Sequence, residues 1–305
     1  MKSAILYEKG FLDGIEIQES SIPDVQSHQI LVRVQACGMN PVDWKGVISG
    51  FFQMPYIIGS DFSGIIEKVG DQVRSFHIGD EIMGSLEWAK QGAFAEYLVT
   101  EEKYIASKPR NLSCIESSAV PLASLTAWQG LFDHLKLQSG EKILIQAAAG
   151  GVGLFALQFA KWAGAYVVAV ASEKNAAFLK SLGADEVFDY KEAFSKLPAD
   201  FDAVFDSMAS SEQTIPLLQK GGRYISITAK PNPELATKYG IAASNFLFHS
   251  NATQLLEISK LIEQGMVQIF IDKTFAFTEV KKALKYQQEG HSRGKNVLVI
   301  QHTAE

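Results

Sequence analysis

The stretch LIQAAAGGVGLFALQ, residues 144–158, constrains the fold more than any other part of the chain. It joins an apolar strand-like run, KILIQAA, to a helix-like one, so the small residues between them make a strand-to-helix turn. Ala148, Gly150 and Gly153 stand at A-x-G-x-x-G spacing, a dinucleotide fingerprint with alanine at the first position. A glycine at 150 lets the backbone approach a pyrophosphate, and Gly153 lets the helix pack closely on the sheet. The N–H groups of Gly151, Val152 and Gly153, at the positive end of the helix dipole, attract phosphate. An ordinary βα turn can carry the same glycines. Here the turn sits in a run of βα units, and that context favours cofactor binding.

The run continues with strand YVVAVA, helix NAAFLKSLG, strand DEVFDY, strand DAVFDS, helix SEQTIPLLQKGG and strand RYISITA. Strands that are apolar throughout imply a parallel sheet covered on both faces, hence a doubly wound α/β unit. Residues 1–109 read differently. SAILY, QILVRVQ, SGIIEKVG, DEIMG and AFAEYLVT are short strands broken by Gly, Asp and Pro, as in an all-β module. Within that module QACGMNPVDWKG reads as a strand end entering a loop. Ser113 and Glu116 then form a capping box that opens a helix.

The cofactor type is set where strand YVVAVA ends. An NAD enzyme places Asp or Glu there, to accept from both ribose hydroxyls. This chain has Ala171 and Ser172, which leave room for a 2′-phosphate, with Ser172 able to donate to it and Lys174 able to supply charge. Glu173 has to point away, and Lys174 can equally be a solvated surface residue. The missing acid favours NADPH over NADH.

Composition narrows the partners. Formal charge is −6, and no basic run could track phosphates, so nucleic acid is not an expected partner. The longest apolar run is far shorter than a membrane span. The N-terminus lacks the apolar stretch of a signal peptide, and two distant cysteines offer no disulfide framework. A soluble protein of the reducing cytoplasm is expected.

GMNPVDWK, IIGSDFSGIIEKVG, FHIGDEIMG, GAFAEYLV, SLTAWQGLF, AAAGGVGLFALQFAKWAGA, LKSLGADEVFDY and RGKNVLVI follow one another along nearly the whole chain. In this order they resemble the medium-chain dehydrogenase/reductase superfamily, within it the zinc-independent quinone oxidoreductase branch. The resemblance implies a Rossmann domain inserted in a β-rich GroES-like domain. The expected bounds are 1–115 for the GroES-like substrate domain, 116–265 for the Rossmann domain and 266–305 for a return segment completing the first. It also implies further cofactor contacts: Thr126 near the nicotinamide and Tyr190 closing over the 2′-phosphate. Ser207, Thr228 and Phe248 lie at or just beyond strand ends. Arg293 either reaches the cofactor from the tail or is only exposed. A homodimer follows from the likeness alone.

The same resemblance bears on metal. In the zinc alcohol dehydrogenases of this superfamily the first ligand is a cysteine two residues after the loop glycine. Here Asn40 holds that position and Cys37 is out of register, expected to pack as a small residue under the loop. The histidine of the Gly-His-Glu motif is matched by Ser60, its glutamate by Asp61, and the four-cysteine zinc lobe is missing. Zinc needs three or four Cys, His or carboxylate ligands, and the histidines are scattered, so no metal site is expected.

Without a Lewis acid, hydride goes most readily to acceptors that delocalise the arriving charge, namely quinones and α,β-unsaturated carbonyls. The resemblance places Asn40 beside the nicotinamide, offering an amide donor to the acceptor oxygen. The alternative is that Asn40 only completes a turn before Pro41. Trp44, Phe52 and Tyr56 would give a flat substrate an aromatic platform. Phe51 and Phe52 stand where some relatives carry a pocket tyrosine, and Asp43 is expected to bond loop backbone. Two other functions stay open: an NADPH-binding structural or regulatory protein with vestigial activity, and a zinc alcohol dehydrogenase.

Overall fold

The computed structural model describes residues 1–87, 92–290 and 292–302. The chain runs through β1 (Lys2–Leu6), β2 (Ile15–Glu19), β3 (Ile30–Met39), α1 (Pro41–Ser49), β4 (Tyr56–Ile57), β5 (Asp61–Val69), β6 (Glu81–Ser85), β7 (Tyr97–Thr100), β8 (Ile105–Ser107), α2 (Cys114–Ser118) and α3 (Pro121–Trp128). Next come β9 (Lys142–Ile145), α4 (Gly151–Trp162), β10 (Tyr166–Ala171), α5 (Ala176–Ser181), β11 (Glu186–Asp189), α6 (Ala193–Lys196), β12 (Phe201–Asp206), α7 (Ser211–Thr214), β13 (Leu218–Ser226), α8 (Pro233–Tyr239) and β14 (Ala242–Asn245). The last are α9 (Ala252–Glu263), β15 (Ile271–Ala276), α10 (Val280–Gln288) and β16 (Lys295–Val299). Two compact units result: residues 1–125 with 249–305, and residues 126–248.

In the second unit, parallel strands lie in the order β11-β10-β9-β12-β13-β14. That is the doubly wound order, in which the chain reverses direction across the sheet beside its first strand, here β9. Ile143, Leu144 and Ile145 of β9 and Val167 and Val168 of β10 are all fully buried, as a sheet covered on both faces requires. Gly164 and Gly183, both at positive φ, follow the ends of α4 and α5 and turn the chain out of each helix. The helix expected over SEQTIPLLQKGG is much shorter than its pattern suggests. Pro216 cannot continue an α-helix, so α7 gives way to a 3₁₀ turn over Ile215–Leu217 and β13 already begins at Leu218.

The first unit holds the order β15-β16-β3-β5-β6-β8, with β7 also paired to β3, and a small sheet β2-β1-β4. One apolar core joins Val32, Val34, Phe62, Ile66 and Ile82 of the large sheet to Ala4, Leu6 and Ile15 of the small one. The closing strand β16 runs antiparallel to β3, with Val297 opposite Gly38 and Asn296 opposite Met39. The C-terminal strand thus returns to the β-rich unit. Helix α9 joins the same unit: Asn111 donates to the Ile262 carbonyl at 2.9 Å, and the Arg110 N–H donates to Glu263 at 2.9 Å. Its residues therefore group with the return segment, although the repeating pattern of βα units runs on towards residue 265.

The stretch after β3 corrects the sequence reading. Residues 41–49 are a helix, α1, and no open loop. Asn40 is extended at the N-cap, Pro41 occupies the first turn, and the Asp43 carboxylate accepts the Asn40 N–H at 2.6 Å. Proline is favoured at that place because its missing N–H is not needed there. Among the described residues no helix is long and apolar enough to cross a membrane.

Candidate functional site

In the second unit, the turn after β9 is built as a cradle. Ala147 takes a positive φ of 48°, and Gly150 caps the twelve-residue helix α4. A Cβ on Gly153 would lie 2.3 Å from the Ala147 carbonyl oxygen and 2.7 Å from Ala148 Cα, so only glycine lets α4 start this close to the turn. A Cβ on Gly150 would meet nothing nearer than the Ala147 oxygen at 3.2 Å. Gly153 is thus required by packing, whereas a Cβ on Gly150 would crowd that one backbone oxygen alone. The helix start leaves the N–H groups of Gly151, Val152 and Gly153 without intrahelical partners, and Ala148 is fixed by its N–H bond to Val170 at 3.0 Å.

Strand ends gather around this turn because the strands are parallel. Ser172 and Lys174 follow β10, Tyr190 follows β11, Ser207 follows β12 and Thr228 follows β13, all at one edge of the sheet. Two bonds join the first of these loops: Tyr190 N–H to the Ala171 carbonyl at 3.0 Å, and Glu173 N–H to Asp189 at 2.8 Å. Asp189 was not singled out from sequence. Backbone N–H groups of Lys191 and Glu173 hold its carboxyl below the usual range, and these bonds use both of its oxygens in shaping the loop. Ser172 accepts from the Asn175 side chain at 3.0 Å, and Lys174 and Tyr190 are exposed. Ser207 Oγ is buried without a hydrogen-bond partner among the described residues, and Thr228 Oγ1 accepts the Ala209 N–H at 3.1 Å. Phe248 follows β14, which is parallel to β13, by three residues and so belongs to the same edge, whereas Thr126 lies inside α3. Arg293 belongs to the first unit, where its backbone N–H donates to Asp272 at 3.2 Å.

In the first unit, Asn40 is the centre of a buried polar cluster. Its Nδ2 donates to Asp61 Oδ2 at 2.9 Å, and its Oδ1 accepts from the Lys295 ammonium. Lys295 also donates to the Met39 carbonyl at 2.8 Å and lies 3.6 Å from Asp61 Oδ2. The other Asp61 oxygen accepts the Leu122 N–H at 3.0 Å. Asn40, Asp43, Asp61 and Lys295 are each 5% exposed or less, so their charges answer to one another more than to water. Burial, reinforced by the Asp61 charge, pushes the Asp43 carboxyl up to about 7, against the Asn40 N–H and Lys295. Burial likewise raises Asp61 and lowers Lys295, each opposed by the attraction of its partner. Sequence reasoning gave no role to Lys295. Its one signal is a lysine opening the short strand KNVLV, which pairs with the strand that leads into Asn40.

Cys37 lies fully buried, its thiol donating to the Ala93 carbonyl at 3.1 Å and pushed up by burial. Phe52 and Tyr56 are packed face to face inside the apolar core, ring centroids 4.2 Å apart, with Phe52 also covering Gly46 of α1. Trp44 packs against the same core with its Nε1 buried and without a hydrogen-bond partner among the described residues, as is the Tyr56 hydroxyl; Phe51 is the exposed ring of the run. Among the described residues, no three His, Cys, Asp or Glu side chains converge in a way that could hold a metal.

Comparison with known proteins agrees with this architecture. Residues 26–110 match the alcohol dehydrogenase GroES-like domain, and residues 182–298 match the family described as zinc-binding dehydrogenase. The 2-methylene-furan-3-one reductase of Solanum lycopersicum is 35% identical across 98% of this chain and 79% of its own length. The chloroplastic NADPH-dependent alkenal/one oxidoreductase of Arabidopsis thaliana is 32% identical over the same shares. The solved structure of the quinone oxidoreductase from Coxiella burnetii superposes with a TM-score of 0.93 at 30% identity, covering 99% of each chain. The chain belongs to the medium-chain dehydrogenase/reductase superfamily, among its quinone oxidoreductases and enone reductases.

Proposed function

We propose that the protein is an NADPH-dependent, metal-free reductase of quinones or α,β-unsaturated carbonyls, working in the cytoplasm as a homodimer. The observation that carries this reading is the chemistry at Asn40, the position matching the first zinc ligand of the alcohol dehydrogenases. Its side-chain oxygen accepts from a buried ammonium that is also paired with Asp61, and that charge opposes a cation at the same place. The relatives named above act on conjugated carbonyls and quinones, which is the substrate class such a site needs.

The second unit fits NADPH on its own evidence: the bare backbone of Gly150 at the cap of α4, the helix start behind it, the orphaned Ser207 hydroxyl and the neutral end of β10. Gly150, Gly151, Val152 and Gly153 would hold the pyrophosphate through backbone N–H groups, with Ala148 shaping the turn. Ser172 and Lys174 would bind the 2′-phosphate and Tyr190 would cover it. Thr126, Ser207, Thr228, Phe248 and Arg293 are assigned to the rest of the cofactor. Bound NADPH supplies a hydride. Asn40 donates to the acceptor oxygen, where charge gathers; a quinone or enone spreads that charge over its conjugated system, so a few neutral donors suffice. Trp44 is assigned to the substrate side, with Phe52 and Tyr56, stacked in the core it packs against, as the aromatic backing, and protons come from water.

The test is NADPH oxidation with a 1,4-quinone, a small enone and a simple ketone, each repeated with NADH. Turnover of the quinone or the enone is expected, exceeding the ketone by about a hundredfold, the worth of a few kcal/mol of barrier. NADPH binding without turnover of any acceptor would leave a regulatory role instead.

A further inference from the structure

The closing strand carries a lysine that neither the glycine turn nor the resemblance explains. Lys295 is the first residue of β16, is 5% exposed, and comes from 255 positions beyond Asn40. Its ammonium meets three acceptors: the Met39 carbonyl, the Asn40 side-chain oxygen and, at 3.6 Å, Asp61 Oδ2. The far side of the Asn40 amide is bonded to that same Asp61 oxygen at 2.9 Å.

An ammonium can only donate and an ionised carboxylate can only accept. Turning the Asn40 amide over would set its NH₂ against Lys295 and its carbonyl against Asp61, so both contacts would become repulsive. The amide therefore has one orientation, and one of its two Nδ2 hydrogens is committed to Asp61. Its carbonyl end rests on a positive charge, which polarises the amide and strengthens its N–H groups as donors.

We infer that Lys295 is a positioning residue for the reaction: by gripping the Asn40 oxygen against Asp61 it fixes and polarises the Asn40 amide, leaving the second Nδ2 hydrogen to the oxygen of the hydride acceptor. This rests on the reductase reading above and adds to it the source of the electrostatic help that a metal gives in zinc-dependent relatives. The Met39 carbonyl locks the lysine to β3, so the amide is held by the pairing of β16 with β3.

A double-mutant cycle separates positioning from mere support of the fold. Lys295→Met, Asn40→Ala and the double variant are assayed for kcat with a 1,4-quinone, for NADPH affinity by fluorescence titration and for melting temperature. Exchange of the Asn40 Nδ2 protons is followed by NMR without cofactor. Lys295→Met should lower kcat about tenfold or more, leave NADPH affinity within about twofold, and speed Asn40 exchange. In the Asn40→Ala background the same substitution should cost less than about twofold. Should Lys295→Met fail to fold because Asp61 is left as an unpaired buried charge, Lys295→Met with Asp61→Asn removes both charges. It keeps an amide oxygen for Asn40 to donate to, and the cycle is then run on that pair.

Equal losses in both backgrounds, unchanged kcat, or unchanged Asn40 exchange would overturn the inference while wild-type turnover upholds the reductase reading. A wild-type protein that binds NADPH but reduces no acceptor would refute both.

Discussion

Asp43 caps α1 with one oxygen and has no hydrogen-bond partner for the other among the described residues. Its carboxyl rises from 3.8 in the open chain to about 7 in the fold, through burial first and the Asp61 charge next. A group raised on folding takes up a proton as the chain folds between those two values, so its contribution to stability is full at the acid end and is lost as pH climbs through 7. Asp61, Lys295, Cys37 and Tyr56 are the titratable groups coupled to it. Denaturant unfolding at about pH 5.5 and pH 8 should show native stability falling by about 1–3 kcal/mol more than that of Asp43→Asn. Equal slopes would mean that Asp43 is ionised in both states. At the other end of the chain's chemistry, Lys174→Ala should weaken NADPH binding about tenfold and spare NADH, as removal of one charge-assisted bond does. Asp43's bond to nearby backbone was expected from its polar, turn-rich stretch, but that it caps a helix was not. Lys295 was not, because nothing local to residues 292–300 reveals that β16 lands beside β3. Residue types alone also could not separate Phe51, exposed, from Phe52, buried, since that depends on which ring covers Gly46.

At the level of single elements, the turn into α4 separates two glycines that a motif treats alike. Gly153→Val drives its side chain into the Ala147 carbonyl and should lower the melting temperature by several degrees, as overpacking does. Gly150 has a φ of −79° and a single tight neighbour, the Ala147 oxygen at 3.2 Å, so Gly150→Val should lose less melting temperature than Gly153→Val yet lose NADPH binding in a titration by about a hundredfold or more. Loss of fold in both variants would contradict the division of roles. Strands β9 to β12 and helices α4 and α5 were legible in the pattern because the strands are apolar runs and both helices are followed by glycine; α6, α8 and β14 are too short or too polar to stand out. Two misreadings share a cause in proline. Pro41 marks a helix start when an extended Asn precedes it, yet reads as a loop in a β-rich context; Pro216 stops α7 inside an otherwise helical pattern.

On the scale of the whole molecule, the class of fold could be read from the chain, since a run of βα units flanked by alternating strands has few solutions. The precise grouping of residues could not. Helix α9 continues the helical texture of the second unit but is tied to the first through Asn111 and Arg110, contacts about 150 residues apart in sequence. The return of β16 to β3 is what assembles the Asn40 cluster, so the fold's long-range closure and its chemistry are one feature. That feature implies a catalyst in which the buried ammonium of Lys295, and no metal ion, stands beside Asn40. Its most direct measurement is zinc content by elemental analysis of untagged protein, alongside quinone-dependent NADPH oxidation before and after dialysis against a strong chelator. Far less than one zinc per chain and turnover unchanged by chelation are expected; stoichiometric zinc, with activity lost to the chelator and restored by the metal, would contradict it.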